Sequence, residues 1–167
     1  MQPTTSQDVT AFGSRLRRLL ERMDREVLAV YRLAGERFEP RWYAAFAALR
    51  DEGPLTVGAL SQRLGISHAA VSQVRTALEA EGLIRGDGDP RDGRRHVLSL
   101  TTRGQEIALR LAPLWSAIAA AMGGMLAEHA PTLPADLDAL EHALDQRGLP
   151  ARVGDTLDLE SLDDHSK

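Results

Sequence analysis

The chain has 167 residues, 43% hydrophobic and 26% charged, enough to bury the core of one domain or one elaborated domain. It contains no cysteine, which excludes disulfides, thiolate metal sites and cysteine-based redox sensing by this chain. A net charge of −4 argues against a general nucleic-acid coat protein, but the acidity is uneven: residues 134–167 hold 9 of the 24 acidic residues and 3 of the 20 basic ones.

The first eight residues are polar and read as a loose end. From Val9 to about Arg37, Phe12, Leu16, Leu19, Met23, Val27, Val30 and Ala34 recur at steps of three and four, one stripe along a long helix. At ~1.5 Å per residue it exceeds about 40 Å, more than a small domain needs internally. The stripe therefore predicts packing against a second subunit; the alternative is a helix lying along its own core. Glu39-Pro40 starts a second helix, with Trp42, Phe46 and Leu49 inward, and Asp51-Glu52-Gly53-Pro54 ends it. Thr56 caps a short helix through Leu64 that buries Val57, Leu60 and Leu64. Gly65 stops it, and Ser67 caps the next helix, which runs to Glu81. Val71, Val74 and Leu78 face inward there. Ser67, His68, Ala69, Ser72, Gln73 and Thr76 are left on the outer face.

Leu83-Ile84-Arg85 and Val97–Leu100 read as two strands joined by a turn-rich loop with glycines and one proline, a hairpin. Thr101 caps a long helix reaching roughly Ala127, with Ile107, Leu111, Leu114, Ile118, Met122 and Met125 as its stripe. Pro113 is expected to bend or weaken it, and Gly123-Gly124 to mark a soft point. Pro131 and Pro134 bracket a break before a short helix, Ala135 to Gln146, with Leu137, Leu140 and Leu144 inward. From Gly148 to Lys167 an acidic, flexible tail is expected.

A helix presenting small and polar residues suits a DNA major groove, and an arginine-bearing hairpin beside it suits the minor groove or phosphates. The segments Gly82-Leu83-Ile84, Asp89-Pro90, Asp92-x-Arg94 and Leu100-Thr101-x-x-Gly104 stand in fixed order after that helix. In this they resemble the winged helix-turn-helix of the MarR family of bacterial transcriptional regulators. The resemblance runs along nearly the whole chain. It implies a mainly α fold with a small β wing, over 9–147. Residues 38–104 would form the DNA-binding winged domain, 1–37 and 105–147 the dimerisation helices, and 148–167 the tail.

Ser67, His68, Ala69, Ser72, Gln73 and Thr76 are thus the candidate recognition-helix contacts; Gln73 can bond adenine twice, and Ala69 can touch a thymine methyl. The bland reading makes them exposed polar positions. The helix carries one basic residue, Arg75, so either permissive polar contacts and DNA shape supply specificity or the wing binds more strongly. In the wing, the resemblance implies that Arg94 enters the minor groove while Asp92 orients its guanidinium. Arg91 and Arg95 are further wing contacts, and Gly93 stands where the family often has a basic residue. The bland reading of the wing is a solvated charged turn. Arg41, Arg63, Arg75 and Arg85 are candidate phosphate contacts.

The five histidines are scattered and the carboxylates do not gather round them, so no metal site is expected. No Ser/His/Asp signature, phosphate-binding glycine loop or dinucleotide fingerprint occurs, so neither enzyme activity nor a cofactor is expected. No signal pattern and no uninterrupted apolar run near ~20 residues is present, which predicts a cytoplasmic protein. The family resemblance implies a homodimeric regulator of double-stranded DNA, a repressor responding to a small aromatic or phenolic effector. Tyr31, Trp42, Tyr43, Trp115 and Met23 could line its pocket, but aromatic residues at helical spacing are more often core, so no effector residue is assigned. The rival reading is a winged-helix protein-interaction module without DNA binding.

Overall fold

The computed structural model describes residues 6–89 and 92–157, with side chains described over 11–87 and 97–157. The chain divides into two compact units, Met1–Trp115 and Ser116–Lys167.

In the first unit, α1 spans Ser6–Leu33. It ends four residues before the expected boundary at Arg37. Gly35 adopts a left-handed φ of 73°, and Glu36 N–H returns to the Tyr31 carbonyl at 2.9 Å, closing the helix. The apolar periodicity continues to Ala34, which hid this stop. Phe12, Leu16 and Leu19 are exposed, whereas Met23, Val27 and Val30 are half-buried.

A single 3-10 turn, Pro40–Trp42, leads into α2, Tyr43–Glu52, which buries Ala45, Phe46, Ala48 and Leu49. A two-residue strand, β1 (Leu55–Thr56), follows, an element the periodicity does not announce. The Thr56 Oγ1 then accepts from Ala59 N–H at 3.1 Å and starts α3, Val57–Leu64. Gly65 ends that helix at φ 64°, and Ser67 Oγ accepts from Ala70 N–H at 3.2 Å to start α4, His68–Ala80. All three punctuation residues act as read from the sequence. Val71 and Leu78 of α4 are buried, and Val74 only partly so.

The hairpin consists of β2, Ile84–Asp89, and β3, Asp92–Leu100, longer than the two short strands expected. They pair antiparallel from Ile84 opposite Leu100 to Asp89 opposite Asp92, with an irregularity between Gly88 and Asp89. β1 pairs with the other edge of β3, Leu55 opposite Leu98, giving the order β1-β3-β2. The sheet thereby anchors the base of the wing to the start of α3.

Helix α5, Thr102–His129, passes through Pro113 and Gly123-Gly124 without interruption in its assigned span. The Thr101 hydroxyl caps it, accepting from Gly104 N–H at 3.0 Å. By length and composition α5 could cross a membrane, with a mean hydropathy of 1.4 over 18 residues. In its first half Gly104, Ala108, Leu111 and Trp115 are buried.

The core of this unit is aromatic, as the packing reading of these side chains expects. Phe38 makes edge contacts with Tyr31, Trp42, Phe46 and Trp115, centroids 5.4–5.6 Å apart. Tyr31 is 1% exposed, Trp42 5% and Trp115 6%, so these side chains are packing groups. Tyr43 is the exception, half in solvent.

In the second unit, α6 spans Leu133–Gln146, with Pro134 inside its first turn rather than breaking the chain before it. Leu137, Leu140 and Leu144, expected to face inward, are 39%, 48% and 51% exposed. The periodicity marks one face of α6, and that face is open to solvent among the described residues. The region after Gly148 opens with a short helix, α7 (Leu149–Val153), where a flexible tail was expected. Arg147 reaches Asp155 at 2.6 Å, and Arg152 donates to the Ala143 carbonyl at 2.7 Å, holding the turn to α6.

Candidate nucleic-acid interface

Two helices set at a tight turn present the candidate reading surface. The turn is held by Ser61, the one buried polar side chain among the described residues, whose Oγ donates to the Ile66 carbonyl at 2.5 Å. Ile66 N–H returns to the Ser61 carbonyl at 3.2 Å. These bonds fix where α4 begins relative to α3. Sequence reasoning passed over Ser61; the available signal was a polar residue beside the inward Leu60.

Ser67, His68, Ala69, Ser72, Gln73 and Thr76 all lie exposed on α4 or at its cap, so the structure brings them onto one surface. They are not equally free. The Ser67 hydroxyl is engaged as the cap, and Thr76 Oγ1 donates back to the Ser72 carbonyl at 2.9 Å. The His68 ring lies over Gly58 of α3. Ala69, Ser72 and Gln73 remain with unengaged side chains among the described residues.

Arg75 stands elsewhere. It is half-buried and bonds Glu79 through Nε at 3.0 Å, an i,i+4 pair lying against Gly86 of β2. A Cβ on Gly86 would sit 2.8 Å from the Glu79 carboxylate, so the glycine makes room for this pair. The other candidate phosphate contacts also carry carboxylates: Arg41 with Glu39 at 2.6 Å, Arg63 with Glu52 at 2.7 Å, and Arg85 with Asp87 at 3.0 Å. These three arginines are more than 60% exposed. Such exposed pairs are worth ~0–1 kcal/mol, so a phosphate could displace the carboxylate at small cost.

In the wing, Asp92, Arg94 and Arg95 occupy β3, but their side chains, like Arg91 as a whole, lie outside the described residues. The backbone establishes a hairpin whose far end joins Asp89 to Asp92. No group of three or more His, Cys, Asp or Glu suited to a metal occurs among the described residues.

An open groove of about 590 Å³ lies between α2, β3 and α5, with Leu49, Arg50, Pro54, Leu100, Ala108 and Leu109 on its walls. Arg50 stacks on the Trp115 ring at 5.3 Å and bonds Asp51 at 2.6 and 2.8 Å. That double bond raises the guanidinium pKa and lowers the Asp51 carboxyl below its usual range.

A helix-turn-helix followed by a two-stranded hairpin that is tied to the first helix by a third short strand defines a winged helix-turn-helix. The MarR family model matches residues 38–95, which span this unit from the loop before α2 into β3. Over this winged domain the chain is similar to the MarR family, and it carries the fold seen in solved regulators of that family. Solved structures agree over more of the chain. The ligand-bound PcaV regulator of Streptomyces coelicolor superposes with a TM-score of 0.63 at 24% identity, covering 87% of this chain and 98% of that one. The DNA-bound MOSR regulator of M. tuberculosis gives 0.65 at 18% identity, covering 80% and 95%. BpsR of Bordetella bronchiseptica, whose DNA binding is regulated by 6-hydroxynicotinic acid, gives 0.57 at 23% identity, covering 77% and 91%. At these identities the likeness concerns the fold. No curated protein matches the sequence.

Proposed function

We propose that this protein is a cytoplasmic, ligand-responsive repressor that binds a palindromic operator as a homodimer. The observation that carries the reading is the exposed face of α4, with Ala69, Ser72 and Gln73 unengaged, beside an arginine-bearing wing. Residues 38–104 act as the reading domain in this proposal. Ser67, His68 and Thr76 extend the contact surface of α4. Arg91, Arg94 and Arg95 bind from the wing, with Asp92 orienting Arg94. Arg41, Arg63, Arg75 and Arg85 are assigned to phosphates, Arg75 only after leaving Glu79.

Residues 1–37 and 105–147 supply the subunit contact. The exposed stripes Phe12-Leu16-Leu19 and Leu137-Leu140-Leu144 support this, since such faces are normally covered. Two-fold symmetry then sets half-sites about one helical turn, ~10 base pairs, apart. The groove beside Arg50 has a volume suited to a small aromatic or phenolic effector. An effector that favours the non-binding state lowers operator affinity.

The test is fluorescence anisotropy of the purified protein against its own upstream intergenic DNA at two salt concentrations, with a scrambled duplex as control. Preferential binding that weakens with salt, at two subunits per site, is the expected outcome. A specific observation favours the rival protein-interaction reading: Arg41, Arg63, Arg75 and Arg85 are all matched by carboxylates. Binding no better than to the scrambled duplex, together with a blank genome-wide DNA selection, would transfer the assignment to that module.

A further inference from the structure

A smaller cavity, of about 190 Å³, lies elsewhere in the first unit. Its walls are the chain after α1, the turn between α4 and β2, and the start of α5. The floor is apolar: Phe38, Leu83 and Leu111 are each no more than 3% exposed. The rim is charged. Glu36 and Arg110 neutralise one another there through bonds of 2.7 and 2.8 Å, and this pairing raises the Arg110 pKa.

Arg37 and Arg103 also line this cavity, 66 positions apart in sequence. Neither has a carboxylate partner among the described residues. Every other arginine with a described side chain from Arg41 to Arg110 does have one. Arg37 and Arg103, like the arginines of α1 from Arg15 to Arg32, lack a carboxylate partner among the described residues, and these two line one cavity. Glu81 is the opposing carboxylate on the same wall, and Glu106 lies on the outer side beside Arg103 and Arg110.

We propose that this cavity binds a small organic oxyanion, a carboxylate or phosphate carrying a short apolar group. Arg37 and Arg103 hold its oxygens, because a planar guanidinium offers paired donors matched to such groups. The apolar part rests on Phe38, Leu83 and Leu111. The volume limits the ligand to fewer atoms than the ~300 Å³ or more of a typical drug-sized site. The Glu81 carboxylate, left unmatched once Arg110 is given to Glu36, favours a single anionic group over a polyanion. An occupant braces the α4–β2 turn against the chain leaving α1. The site shares no residue with the groove beside Arg50 and does not depend on DNA binding.

The experiment uses the full chain titrated with butyrate and, separately, inorganic phosphate, with chloride holding the ionic strength constant. Arginine Nε–H resonances and the midpoint of thermal unfolding are followed. The expected result is a saturable shift of the Arg103 resonance and a rise in Tm with at least one probe. Saturation by butyrate alone identifies a carboxylate site, and by phosphate alone a phosphate site. Arg37→Gln and Arg103→Gln should each abolish saturation, while Arg152→Gln, outside the cavity, retains it. Responses that merely track chloride, or that survive both cavity substitutions, overturn the proposal.

Discussion

Gly104, in the first turn of α5, lies directly against the carbonyl oxygen of Leu83, so that a Cβ at position 104 would collide with that backbone atom. The same oxygen accepts the Thr101 N–H at 3.1 Å, and the Thr101 hydroxyl donates to the Gly82 carbonyl at 2.6 Å. The spacing Leu100-Thr101-x-x-Gly104 therefore has a physical basis. Thr101 clamps the end of the wing to the turn after α4, and Gly104 permits the approach. Gly104→Ala should cost about 1–3 kcal/mol through overpacking against rigid backbone. Thr101→Val, losing the cap and the Gly82 bond, should cost a comparable ~1–2 kcal/mol. Urea denaturation of the two variants measures both, and wild-type stability for Gly104→Ala would show that the approach can relax.

The indole N–H of Trp115 donates to the Tyr31 hydroxyl at 2.9 Å inside the aromatic core. Burial raises the Tyr31 pKa above its ordinary value, and the bond from Trp115 offsets this in part. The unfolded chain then loses the phenolic proton first as pH rises. Stability from this group is full below about pH 10 and declines above it. Tyr31→Phe should remove part of that alkaline decline. At neutral pH it should cost about 1–3 kcal/mol, because the buried indole N–H is left without an acceptor. Denaturation midpoints from pH 7 to 11 for both proteins test the sign.

Ser67 and Gln73 separate fold from recognition on the same helix. Ser67→Ala removes the cap of α4 and should lose about 1 kcal/mol of stability along with any DNA contact. Gln73→Ala touches no hydrogen bond among the described residues and should leave the unfolding midpoint unchanged while lowering operator affinity by about 1–3 kcal/mol. Equal DNA affinity in wild type and Gln73→Ala would remove Gln73 from the reading surface.

Arg94→Ala in the wing should weaken operator binding by about 1–3 kcal/mol with far-ultraviolet circular dichroism unchanged, the scale of one specific contact. Anisotropy against the same operator provides the measurement. Undiminished affinity would dismiss the wing assignment.

The exposed leucines of α6 give a test of assembly. Leu140→Asp combined with Leu144→Asp adds charge to an already solvent-facing stripe, so the folded chain should persist as a monomer in sedimentation equilibrium. A dimer unaffected by both charges would place the subunit contact on another surface.

Most helices and their start and stop signals were legible because they are local. Thr56, Gly65 and Ser67 act on residues within a single turn, and a stripe at steps of three and four reports one helical face wherever the helix goes. What covers a face is not local. The stripe of α6 reads the same whether it is buried or open, and only the exposure of Leu137, Leu140 and Leu144 tells the two apart. Arg75 was equally ambiguous: its position on α4 fits solvent or sheet, and Glu79 with Gly86 decides for the sheet side.

By itself, then, the sequence determined the order of helices, the turn between α3 and α4, the presence of a wing and the candidate reading residues, since each depends on neighbours a few positions away. The tertiary structure alone decided that Leu55 and Thr56 form a third strand against Leu98 and Val97, and that Phe38 gathers the aromatic side chains into a core. It also brought Arg37 to the same cavity as Arg103. These are meetings of residues far apart in the chain, and their geometry follows from packing the elements together rather than from the pattern within any one of them.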